Sequence, residues 1–231
     1  MKPAWIIVAL TLALAACNPA APSPTTSRPE AALPYERAGE FLWDEEAGAF
    51  LFESRPLIAG RSWNFDQGVQ ALTGQGATVT FSPINGTQVV HDVMDAMVRS
   101  PDGLGLNGAR FNLVLIRLGR EAAGAPWDGS LFWSTDAHGE LDAFHAKPFA
   151  GSDPAVNETV ILAYDMTQPV KGGTDWTTSV VRQLRFDADD GAGGRFRIRQ
   201  MAIVENPAPE RLRTAEGVDR TPPRAAAVGL R

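Results

Sequence analysis

The stretch from Val160 to Val204 constrains the fold more than any other part of the chain. It holds three apolar runs rich in β-branched residues, Val160–Asp165, Val180–Asp187 and Phe196–Val204, each cut off by Gly, Asp or Pro. Such residues crowd a helix but pack well on a pleated surface, so the pattern is that of consecutive antiparallel strands. The spacer Gly191-Ala-Gly-Gly194 supplies positive-φ positions for a tight connection. The last two strands therefore either form a hairpin or face one another across a sandwich.

The rest of the chain repeats this pattern. Phe41-Leu-Trp43 and Phe50-Leu-Phe52 flank the charged turn Asp44-Glu-Glu-Ala-Gly48, and Ala77–Phe81 alternates cleanly. Phe111–Leu118 is the strongest single strand, followed by Leu131–Asp136. Between Val89 and Val98 the spacing of Val90, Val93, Met94 and Met97 fits a helical face or a strand pair equally well. Strong helix signals are missing elsewhere, so the chain is expected to be all-β: a two-sheet antiparallel β-sandwich of jelly-roll type over residues 35–207. Residues 208–231 are polar and Pro/Arg-rich, which predicts a flexible tail. With 231 residues, the chain has ample length for one such core. Its net charge of -6 argues against nucleic acid as a partner, because phosphates reward Lys and Arg clusters.

The N-terminus carries an address. Lys2 precedes an apolar run from Trp5 to Ala16, too short to span a bilayer, which closes on Leu14-Ala-Ala-Cys17. These residues resemble the lipobox of bacterial lipoproteins. The resemblance implies a signal peptide over residues 1–16 and a lipidated Cys17 as the first mature residue. Several acyl chains on one residue make a stable membrane anchor. Cys17 is the sole cysteine, so no disulfide can form within the chain. Asn18, rather than Asp, leans towards the outer membrane of the cell envelope by the same family logic. Residues 17–34 then read as a Pro/Ala/Ser/Thr linker.

From Trp63 to Val204 a second resemblance emerges. The order Trp63-Asn-Phe-Asp66, Ser100-Pro-Asp-Gly-Leu104, Phe111–Leu118, Leu131–Asp136, Val160–Asp165, Trp176, Leu184-Arg-Phe-Asp187 and Gly194–Ile203 looks like jelly-roll modules, including carbohydrate-binding and galactose-binding-like domains. Those modules often hold a structural calcium, for which Asp66 and Asp187 are the least implausible ligands here. Arg199, however, stands where the resemblance expects an acidic residue, and a guanidinium repels a cation. No metal is therefore expected.

Candidate site residues follow from side-chain chemistry. His91, His138 and His145 complete no zinc set, and no cofactor or nucleophile motif is present, so neither an enzyme nor a cofactor is expected. Trp rings stack on the apolar faces of sugars. Alternation along Leu131–Asp136 places Trp133 opposite Phe132; with Phe132 in the core, Trp133 points outward as a platform. Asp136 and His138, in the following loop, would hydrogen-bond beside it. On the last strand Arg195, Arg197, Arg199 and Met201 share one face, with Phe196, Ile198, Gln200 and Ala202 on the other. This basic ladder either pairs with acidic neighbours or lines a groove, where Arg197 and Arg199 would favour an acidic glycan. Two functions remain: a non-catalytic, membrane-anchored lipoprotein that binds a polysaccharide, or a structural lipoprotein that docks a protein partner of the envelope.

Overall fold

The computed structural model describes residues 35–37, 39–124 and 126–209. The expected signal peptide, Cys17, the expected linker and all but the first two residues of the expected tail lie outside them. Eight strands carry the fold: β1 (Ala59–Asn64), β2 (Ala77–Ser82), β3 (Gly86–His91), β4 (Leu113–Ala122), β5 (Trp127–Thr135), β6 (Glu158–Asp165), β7 (Val180–Asp189) and β8 (Arg195–Val204). A larger sheet runs β6-β4-β8-β3-β2, with Tyr35–Glu36 added at the β6 edge and β1 pairing the other half of β8. A smaller sheet is built on β5 and β7, extended by the short strands His145–Ala146, Met97–Arg99, Thr73–Gln75 and Leu106–Asn107. Apart from Tyr35–Glu36, which runs parallel to β6, the pairings are antiparallel.

The two sheets pack face to face as a β-sandwich. Val114, Ile116, Leu118 and Ile198 from the larger sheet meet Leu131, Leu184 and Phe186 from the smaller one. The spacer Gly191–Gly194 does not close a hairpin: it carries the chain from β7 in one sheet to β8 in the other, so these strands face each other. The ambiguous Val89–Val98 stretch is extended at both ends, as β3 and Met97–Arg99, which belong to different sheets. Helix is confined, among the described residues, to short turns such as Asp175–Thr178.

A third layer explains the strength of the β4 signal. The strands Phe41–Asp44 and Ala49–Phe52 form a hairpin, and Phe41, Phe50 and Phe52 lie on Leu113, Leu115, Ala163 and Val204. At its N-terminal half β4 is thus buried on both faces, which is why Leu113–Leu118 lacks the alternation of a half-exposed strand. Beyond Leu115 the hairpin no longer covers the larger sheet with apolar side chains. There its outer face turns polar, and this is where the candidate site lies.

Two polar links hold the layers in place. At the far end of β4, Arg120 reaches across the sandwich to pair with the buried Asp189 of β7. On the outer face Arg117 donates to both oxygens of Glu36 at 2.9 and 2.6 Å, to Glu45 at 3.1 Å and to Gln200 at 3.0 Å. Burial disfavours its charge, but the hydrogen bonds and charges of Glu36 and Glu45 outweigh that effect and hold its pKa above the usual value.

Candidate functional site

The polar half of the larger sheet's outer face contains a groove of about 300 Å³. Register explains its floor. Gly119 of β4 lies directly between Thr159 of β6 and Arg197 of β8, so a strand position without a side chain leaves a gap between two larger residues. One wall is Glu45, in the turn of the N-terminal hairpin, and the other is the tip Pro83-Ile84-Asn85 between β2 and β3. The lining crosses four neighbouring strands, β6, β4, β8 and β3. At ~4.8 Å per strand spacing that is a path of roughly 14 Å.

The second wall depends on a glycine. Asn85 N donates to Ser82 O at 3.1 Å, and Gly86 follows with φ 70°. That left-handed conformation suits glycine, and a Cβ at this position would stand 2.6 Å from Asp66 Oδ1. The turn thereby presses against Asp66 and projects Ile84 into solvent at 90 % exposure.

The guanidinium groups in the groove are held by carboxylates. Arg199 Nε and Nη2 donate to Asp66 Oδ2 at 3.1 and 3.0 Å, and Gln200 Nε2 donates to the same oxygen at 2.8 Å. Arg197 Nε lies 2.6 Å from Glu121 Oε1, with Arg195 Nε 3.2 Å from Oε2. A bulge makes the Asp66 cluster possible. The β4–β8 register shifts between Arg117 and Leu118, so Arg199 and Gln200 both turn outward and Met201 turns into the core. Strict alternation had placed Gln200 with the core face and Met201 with the arginines; the extra residue exchanges them.

The five expected ligand residues do not form one site. Arg197 and Arg199 line the groove on the larger sheet, whereas Asp136 and His138 line an open trough of about 420 Å³ at the loop end of β5 and β7, in the smaller sheet. There Asp136 Oδ1 accepts the Val180 N–H at 3.0 Å. His138 stands with its two ring nitrogens 3.6 Å from Asp142 and 3.5 Å from Asp175, over Phe144.

Trp133 belongs to neither, which corrects the expectation of an exposed platform. It is 2 % exposed, edge-on to Trp176 with centroids 5.7 Å apart, and its Nε1 donates to Asp175 Oδ2 at 2.9 Å. Alternation does group Leu131, Trp133 and Thr135 on one face of β5, but that face is the core. Phe132 is the outward ring, under the Arg185 guanidinium at 3.8 Å and beside His145 at 5.2 Å.

Asp66, in the short turn after β1, and Asp187, on β7, each face an arginine. The cation against Asp66 is Arg199, and Asp187 accepts from Arg185 at 3.1 and 2.8 Å. Burial, only partly offset by Arg185, pushes Asp187 up to about 6.

Sequence reasoning missed Gly119, Thr159, Glu45 and the 83–86 turn. A glycine inside the strongest strand and the Pro-Ile-Asn-Gly turn were the available signals.

No family model and no curated protein matches this chain. Among solved structures, a xylan-binding module described as CBM15 aligns at TM-score 0.40 and 14% identity, covering 63% of this chain and 98% of its own. CsCBM6-3 from Clostridium stercorarium, in complex with cellobiose, aligns at 0.35 and 6%, covering 65% and 98%. The C-terminal CBM6 of LamC, a laminarinase from Zobellia galactanivorans, aligns at 0.33 and 11%, covering 63% and 98%.

The core position of Trp133 has a measurable consequence. Trp133→Ala removes a packed indole and takes a donor from the buried Asp175, so it should cost ~3–5 kcal/mol in denaturant unfolding. A variant as stable as the wild type would mean that Trp133 is not part of the core.

Proposed function

We propose that the protein is a non-catalytic, glycan-binding lipoprotein of the bacterial cell envelope, tethered through Cys17 and taking a polysaccharide segment in the groove over Gly119. The observation that carries this reading is the bare floor at Gly119, edged by fixed donors and acceptors and rimmed by Pro83 and Ile84. A sugar ring needs those features together: room for its bulk, polar groups for its hydroxyls and an apolar surface for its C–H face. Arg199 and Asp66 already orient each other, as do Arg197 and Glu121. Donors and acceptors therefore stand preorganised, which lowers the ordering cost of binding.

The same pairing bears on ligand class. With each groove guanidinium met by a carboxylate, the site offers little uncompensated positive charge. An uncharged polysaccharide suits it better than the acidic one that an unpaired ladder would favour. The anchor leaves the groove facing an envelope compartment, with the outer membrane favoured by Asn18.

Two experiments test the reading. On a glycan array, the mature chain in detergent should bind a neutral polysaccharide. Gly119→Leu, which adds bulk at a buried strand position on the groove floor, should weaken that binding at least about tenfold, with folding checked by melting. Retained affinity in a folded Gly119→Leu protein would place the ligand elsewhere, and a wild type that binds no glycan would favour a protein-docking role. For the anchor, Cys17→Ser should leave the protein unprocessed or out of the detergent phase; normal processing and partitioning would refute lipidation at Cys17.

A further inference from the structure

The chain contains two Asn-Gly dipeptides, Asn85-Gly86 and Asn107-Gly108. In this pair of residue types the following amide nitrogen meets no side-chain obstruction. It can attack the Asn carboxamide and form a five-membered succinimide. Both asparagines are exposed and both following glycines are buried, Gly86 as the first residue of β3 opposite Ser82, but the asparagine side chains are held differently. Asn107 Oδ1 accepts the N–H groups of Ala109 at 2.9 Å and Arg110 at 3.3 Å, which fixes its side chain in a turn. The Gly108 N–H, the nucleophile of the reaction, is itself engaged with Ser179 O at 3.4 Å.

Asn85 sits instead at the solvent-facing tip between β2 and β3, exposed and next to the almost fully exposed Ile84. It also lines the groove with Arg197 and Arg199. We propose that Asn85 is a site of spontaneous deamidation that switches the groove, while Asn107 is protected by its turn. The Gly86 nitrogen attacks Asn85 Cγ. The N–Cγ bond forms, the Cγ–Nδ2 bond breaks, and ammonia leaves with the proton from the Gly86 amide. Water then opens the succinimide at one of its two carbonyls, giving aspartate or isoaspartate.

Either product changes the groove, and this part of the proposal rests on the glycan-binding reading. Aspartate adds a carboxylate beside the Asp66–Arg199 and Arg197–Glu121 pairs, where the charges were balanced. Isoaspartate also lengthens the backbone by one methylene just before Gly86, the residue pressed against Asp66. Both outcomes disturb the acceptor that holds Arg199.

The test incubates the purified full mature chain in mildly alkaline buffer and follows peptides spanning Asn85 and Asn107 by mass spectrometry. A parallel sample is unfolded in denaturant. In the folded chain Asn85 should convert well before Asn107, and in the unfolded chain the two should convert at similar rates. Equal or faster conversion of Asn107 in the folded chain, or no conversion of Asn85 there, overturns the proposal. Affinity for the glycan identified on the array should fall in step with conversion at Asn85. Asn85→Asp should start weak, and Asn85→Gln, whose longer side chain closes the ring poorly, should keep its initial affinity throughout. Affinity that survives full conversion overturns the switch. Failure of the fresh wild type to bind any glycan counts against the glycan reading alone, because the mass measurement needs no ligand.

Discussion

A buried arginine sets the plan of the outer face. Arg117 sits in the strand that the hairpin covers, on the side turned away from the sandwich interior, and a guanidinium there must be fully paired or removed. Its partners come from three separate parts of the chain: Glu36 beside β6, Glu45 in the hairpin turn and Gln200 in the β8 bulge. Pairing them pins the hairpin over Leu113 and Leu115 and stops it short of Gly119. The result is a sheet whose outer face is half apolar and covered, half polar and open.

From Arg117 the polar contacts continue into the groove. Gln200 accepts from Arg117 and donates to both Asn64 and Asp66, and Asp66 in turn holds Arg199. A hydrogen-bonded chain of this kind, buried at Arg117 and Gln200, rigidifies what it touches. The groove side chains therefore stand on the same network that holds the third layer down, which links the stability of the hairpin to the shape of the site.

The strands were legible because their signal is local. Runs such as Val160–Asp165 and Phe196–Val204 announce themselves by β-branched content, and glycine or aspartate marks their ends. Which face of a strand is core is not a local property. Alternation groups Leu131, Trp133 and Thr135 on one face of β5, but nothing local says that this face, and not that of Phe132, is the core. A single bulge residue, Arg199, likewise exchanged Gln200 and Met201. The groove was hardest to foresee, since Gly119, Thr159 and Arg197 meet only through the register of three strands distant in sequence.

A glycan bound as proposed occupies the face above Gly119 and not the trough that holds Asp136 and His138. Amide NMR spectra of the chain, titrated with an oligosaccharide of the bound type, would show which. The largest shifts should fall on Gly86, Gly119, Thr159, Arg197 and Arg199, with Asp136, His138 and Arg182 unmoved. Shifts confined to Ser134–Gly139 and Arg182 would instead place the ligand on the smaller sheet.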